Sequence, residues 1–373
     1  MEKYRKLIHI AKQIYCCCKV IFYWVIELLS SNRNSLKFAF KGKFLFGNKI
    51  DNEYDPKLMF LLKKHHNCLT IGGSLSPLTT HPAPNVVNFD AADRHLSFAL
   101  KNNFTVVGHY LFLPIMFPSW FFKDSNGNDI SREELLQRMK KYIFEKVGRY
   151  KGKIKQWETL IEIIDYEGNY VDCKFLRILG EDYIKYVFEF ARQADPDCEF
   201  CYSDSALSME TKRNAVVKMV KNLAAQGVKI DTIGMQGHCH LSFPVMSEFE
   251  KSIIAFSEAG CKVSITEMDM SVLPVFNPKI PMETALNPNY WKSLNPYTHR
   301  LPLEIAEIQR KRYNEIFEIL LRHTDKIDRV TFWGISDRDS FKNIFPVPNR
   351  TDYPLLFDRK LRAKPIVKDL INI

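Results

Sequence analysis

From residue 36 onward the chain alternates between two hydrophobic rhythms. Short runs rich in β-branched and aromatic residues recur at 44–47, 68–71, 105–113, 154–162, 198–203, 232–236, 262–267 and 329–334. Runs of this length and content read as buried strands. Between them lie longer segments with apolar residues three and four positions apart, as in Leu135, Met139 and Ile143. That spacing puts one apolar stripe on a helix. Helices are predicted over 55–66, 91–102, 132–147, 181–194, 210–226, 245–260, 303–323 and 360–370. Asp90 supplies a start signal, and Gly227 and Gly260 supply stops. Strands alternating with helices imply parallel pairing with helical crossovers. Eight repeats over residues 36–373 predict an α/β fold, a single (β/α)8 TIM barrel, rather than an open doubly wound sheet. No Gly-rich phosphate loop follows any run, so no dinucleotide cofactor is expected.

Polar residues then stand out at the strand ends. His109 lies in the third run and Glu162 ends the fourth. Asp204 follows the fifth, Gln236 and His238 close the sixth, and Glu267 and Asp269 end the seventh. Trp333 and Asp337 belong to the eighth. Singly, each has a plain structural reading: a strand-end acid in an ion pair, a satisfied core histidine, a core-capping indole. A parallel barrel gathers all of them on one face, where catalytic groups of such barrels are found. Two carboxylates across a cleft with an aromatic platform suit glycoside hydrolysis. That chemistry needs one protonated acid for the leaving oxygen and one ionised carboxylate facing the anomeric carbon.

Charge adds one feature. Lysine and arginine exceed aspartate and glutamate by ten over the 373 residues. Residues 1–50 hold ten of the basic residues and two of the acidic ones, so the rest is nearly neutral. A nucleic-acid-binding domain would spread its charge over a folded face, and none is expected here. Residues 1–35 read as a basic, apolar helical extension. The unbroken apolar stretch 20–26 is too short to span a bilayer, and no small-x-small cleavage site follows. An export or membrane-associated role and a simple helical extension both stay open for this segment. The nine cysteines match no zinc spacing or disulfide framework. Cys68, Cys198, Cys201 and Cys261 read as core thiols, and no metal is expected.

Several stretches resemble the family 10 glycoside hydrolases, the endo-1,4-β-xylanases. ITEMDMSVLP from Ile265 is similar to the nucleophile signature of that family. ILGEDYIKYVFEFARQADPD from Ile178, IDTIGMQGH from Ile230, VTFWGISDRDS from Val330 and RTDYPLLFDR from Arg350 are also family-like. NFDAADRHLSFALKNN from Asn88 and VGHYLF from Val107 extend the likeness, and WETLIEIIDYEGNY from Trp157 aligns with the acid/base segment. The resemblance implies a monomeric, retaining hydrolase acting on xylan or a related β-linked polysaccharide. Glu162 would be its acid/base and Glu267 its nucleophile. His109, Asp204, Gln236, His238, Asp269 and Trp333 would bind substrate or support the carboxylates.

The departures from the family pattern cluster around one sugar subsite. Ile161 stands where the family has the asparagine that bonds the 2-hydroxyl. Gly72, Gly73 and Ser76 replace a Glu-Asn-x-x-Lys group, and Leu113 and Pro114 replace Trp-His. Ser203 replaces an asparagine and Phe341 a tryptophan. Three readings stay open: a xylan hydrolase, a hydrolase of altered specificity, and a carbohydrate-binding barrel without activity. In the Pro-rich connection 273–303, Tyr290, Trp291 and Tyr297 are candidate sugar-stacking residues.

Overall fold

The apolar runs all form strands, and every pairing between them is parallel. The structure is a computed structural model. It describes residues 34–50, 55–277, 279 and 282–373, together with Arg5, His9 and Lys19. The expected helical extension thus falls almost wholly outside the described residues. The strands are β1 (Leu45–Ile50), β2 (Cys68–Ile71), β3 (Thr105–Phe112), β4 (Gln156–Ile161), β5 (Glu199–Asp204), β6 (Thr232–Met235), β7 (His238–His240), β8 (Lys262–Ser271) and β9 (Ile327–Phe332). Their order is β6-β5-β4-β3-β2-β1-β9-β8-β7, and a β6–β8 pairing closes the ring. Eight strands therefore form the barrel, and β7 is a short addition on the end of β8.

Helices cover the outside. Helix Asp182–Ala194 turns Tyr183, Ile184, Val187, Phe188 and Ala191 inward at three- and four-residue spacing. Asp55 and Ser131 start their helices by accepting hydrogen bonds from backbone N–H groups of the first turn. Outward-facing strand residues meet this layer as stacked rings, among them Phe40, Phe46 and Phe317. Gly108 marks the closest approach between neighbours. A Cβ there would lie 2.3 Å from the buried Trp157 ring.

The barrel interior is polar, which no hydrophobicity pattern announces. Inward positions alternate with outward ones along each strand. On β4 and β9 they deliver Gln156, Glu158, Arg329 and Thr331, all buried. Arg329 donates to Glu158 Oε1 (2.7 Å), Gln156 Oε1 (3.1 Å) and Thr331 Oγ1 (2.8 Å). Gln156 in turn donates to Thr232 and Asp328. Burial alone would push the Glu158 carboxyl up. The charges and hydrogen bonds of His109 and Arg329 more than offset it and hold Glu158 below the usual glutamate range.

Two boundaries and the setting of one acid differ most from the sequence reading. Strand β8 does not stop at Glu267 but runs on to Ser271, because β7 pairs with its last three residues. The C-terminal helix begins at Pro365 rather than residue 360. The Asp358 carboxylate ties residues 360 and 362 into a turn first, and Pro365 then opens the helix. Asp337 points away from the barrel mouth. It is fully buried, accepts from Leu355 N (2.8 Å) and pairs with Lys364, so its role is structural.

The Arg329→Met variant should lose about 3–5 kcal/mol of stability, because it strands a buried carboxylate without its partner. Denaturant unfolding followed by tryptophan fluorescence reads this directly. A loss below about 1 kcal/mol would contradict the account of the interior.

Candidate active site

Where the barrel ladder ends, single backbone hydrogen bonds carry it one residue further around the mouth. Glu162 N donates to Ser203 O (3.0 Å), and Gln236 N to Asp204 O (3.1 Å). Glu267 N donates to Gln236 O (2.7 Å), and Trp333 N to Met268 O (3.0 Å). Residues from five strands are thereby fixed relative to one another before any side chain is considered. Gln236 also reaches across, donating from Nε2 to Glu162 Oε1 at 2.7 Å. One glutamine thus touches the backbone of one candidate carboxylate and the side chain of the other.

Two irregularities aim the acids. On β8, Ile265 faces Val330 and Met268 faces Phe332, so three steps on β8 match two on β9. Such a bulge re-aims side chains. Thr266 meets Ser203 at 2.9 Å while its neighbour Glu267 meets His238 at 3.3 Å, so consecutive residues both serve the barrel mouth. On β4 a similar shift lies between Glu158 and Leu160. Four residues after the first of these, Glu162 has φ of +56°. A non-glycine residue held in that left-handed region carries strain of the kind found at functional sites.

Two histidines set the charge around Glu267. His238 Nδ1 lies 2.8 Å from Asp269 Oδ2, and its Nε2 faces Glu267. Burial pulls this imidazole down. The charge and hydrogen bond of Asp269, joined by the hydrogen bond to Glu267, prevail and push it up to about 9. His238 is therefore an imidazolium at neutral pH, donating one N–H to each carboxylate. His109 Nδ1 lies 2.8 Å from Glu158 Oε2. Burial opposes its charge too, but Glu158 and Glu267 raise its pKa overall. Donor atoms of His109, Glu158 and Glu267 all lie within 4.8 Å of one another, close enough for a metal cluster. Both Glu158 oxygens are already taken by Arg329 and His109, however, and His238 holds Glu267. His109, Glu158 and Arg329 form a hydrogen-bonded chain, and Glu267 stands beside it.

The remaining sequence candidates divide. Trp333 lies at the mouth, its ring 4.8 Å from that of His109, with Lys49 Nζ over it. Asp204 is wholly buried and bound to Lys212 (2.7 Å) and Tyr202 (2.5 Å), and it accepts from Ile164 N (3.4 Å). It anchors the segment that follows Glu162 and offers nothing to a ligand. Ile161 is buried and lies outside the contiguous apolar core. Phe341 packs 5.2 Å from the His238 ring. Trp291 stacks on Phe276, so the loop aromatics pack at least partly among themselves. The free cysteines among the described residues are all buried, as expected of core thiols.

Sequence reasoning missed four residues. Glu158 and Lys49 were visible as charges at inward positions of apolar strands. Lys342, 3.9 Å from Asp269, and Tyr110 gave no such signal. Burial pushes the Tyr110 phenol up, the hydroxyl of Ser76 3.4 Å away eases it down, and the Glu162 charge adds to the rise.

The glycosyl hydrolase family 10 model matches residues 35–373. This chain belongs to that family. Endo-1,4-beta-xylanase A of Xylanibacter ruminicola is 37% identical over 362 residues, covering 95% of this chain and 98% of that protein. A GH10 endoxylanase retrieved from a sugarcane soil metagenome superposes with a TM-score of 0.84 at 35% identity, covering 90% of this chain and 99% of the other. Xylanase XynB from Paenibacillus barcinonensis, complexed with a conduramine derivative, gives 0.83 at 31% identity over 91% and 98%.

His238 predicts a pH limit. Its raised pKa means its contribution is fully present below about 6.5 and is lost as pH rises through about 9. The profile of kcat/KM should therefore fall on an alkaline limb near pH 9. In His238→Asn that limb should disappear, with activity lower by roughly 10-fold throughout. An unchanged limb in the variant would refute the assignment.

Proposed function

We propose that this chain hydrolyses internal β-1,4-xylosidic bonds of xylan by double displacement, with retention at the anomeric carbon. The observation that carries the reading is the placement of two carboxylates from β4 and β8, tied together by Gln236 at the barrel mouth. Glu162, half-buried and bonded on one oxygen by Gln236, is the acid that protonates the glycosidic oxygen. Glu267, buried and fixed by the protonated His238, attacks the anomeric carbon and forms the glycosyl-enzyme. Glu162 then removes a proton from the water that releases the sugar.

His109 supports this role from below. It is bonded to Glu158, and through it to Arg329, and it stands within 4.8 Å of the nucleophile. Names of the relatives support the substrate: those reported above are xylanases or endoxylanases. The polymer is too large to enter a cell, so the reading places the enzyme outside the cytoplasm, acting as a monomer. Residues 1–35 would serve that placement. No helix among the described residues is long and apolar enough to cross a membrane.

The full chain should release reducing sugar from arabinoxylan. Glu267→Ala should abolish release, and Glu162→Ala should lower it by about 10²–10⁴-fold. The first product seen by proton NMR should be the β-anomer. Wild-type protein that is folded and releases nothing would overturn the reading, as would a first product of α configuration.

A further inference from the structure

The segment after β2 offers little to a sugar. Gly72 and Gly73 have no side chains, and a Cβ at Gly73 would meet nothing within 4 Å. The Ser76 hydroxyl faces Tyr110. The surroundings of Gly73, just past β2, are thus left without a side chain from this segment. The next strand supplies a cation to that side. On β1, Lys49 pairs in register with Thr70, three residues before Gly73. It alternates with Gly47, whose Cβ position faces the inward Thr331, so Lys49 also points inward. Its Nζ lies 4.8 Å from the centre of the Trp333 ring, an arrangement that holds an ammonium in place. Trp333 touches His109, and the Lys49 charge is felt by that imidazole. Lys49 is half-buried.

We propose that Lys49 is a substrate-binding residue, whose ammonium hydrogen-bonds a ring hydroxyl of the sugar that presents its anomeric carbon to Glu267. The contact comes from β1 and fills the side of the subsite that the β2 loop leaves bare. This inference rests on the function proposed above. It assigns Trp333 a second duty. The indole steers the lysine as well as lining the cleft.

The test compares wild type, Lys49→Met and Lys49→Arg on an aryl β-xylobioside and on its 2-deoxy and 3-deoxy analogues, altered in the ring that bears the aryl group. Lys49→Met should lose about 10- to 100-fold in kcat/KM on the parent substrate. On one deoxy analogue the loss should shrink to about 3-fold or less, because the partner hydroxyl is already gone. Lys49→Arg should recover part of the parent activity. Equal losses on all three substrates would mean a structural role and would overturn the proposal, as would no loss at all. Calorimetric binding of xylobiose gives a readout that needs no turnover. In a Glu267→Ala background, Lys49→Met should weaken binding by about 10-fold, and equal affinity would again overturn the proposal. Failure of the underlying function shows separately, as wild type that never turns over the parent.

Discussion

The structure depends on a charge taken into the middle of the barrel. Arg329 is almost fully buried, and its guanidinium is satisfied by Glu158, Gln156 and Thr331. A buried ion pair seldom adds stability over a well-packed apolar core. Its effect here is geometric. Glu158 holds Arg329 with one oxygen and His109 with the other, and His109 stands close to Glu267. The position of the candidate nucleophile is thus referred to the barrel axis rather than to a loop. Substrate contacts need that rigidity, because small displacements at a reacting centre have large effects on rate.

A second layer of order lies at the rim. Ordinary strands would alternate their side chains and send every second residue outward. The bulge in β8 breaks that rule, so Thr266 and Glu267 both face partners at the mouth. The left-handed backbone of Glu162 breaks it on β4. Backbone hydrogen bonds from Ser203 to Trp333 then lock these departures in place. The protonated His238 completes the arrangement by neutralising part of the charge of Asp269 and Glu267.

Around this geometry the lining is largely apolar or bare on the β2 and β4 side. Ile161 is buried, Gly72 and Gly73 carry no side chain, and Phe341 packs on the His238 ring. The Arg329–Glu158–His109 chain lies beside the nucleophile, and Lys49, Lys342 and Tyr110 stand near Trp333, Asp269 and Ser76. The two halves of the site answer to different constraints. The carboxylate pair must meet one reaction geometry, whereas binding groups can be supplied from any strand that reaches the mouth.

The amino-acid sequence by itself determined the barrel. Two hydrophobic periods, strand and helix, alternate eight times, and local spacing follows from which face of each element is buried. It also marked Glu162, Glu267, His238 and Asp269 as strand-end candidates, because a charge at the end of an apolar run is visible without a fold. What it could not weigh is distance between residues far apart in the chain. Asp204 and Asp337 looked like cleft acids, and only packing revealed Lys212 and Lys364 as their partners. The extension of β8 required β7, a partner of three residues with no hydrophobic signature. The bulge that aims Glu267, the strained backbone of Glu162 and the meeting of Arg329, Glu158 and His109 arise from closing eight strands into a ring. Tertiary structure alone decides them, because each depends on register between strands, and register is a property of the closed barrel rather than of any one segment.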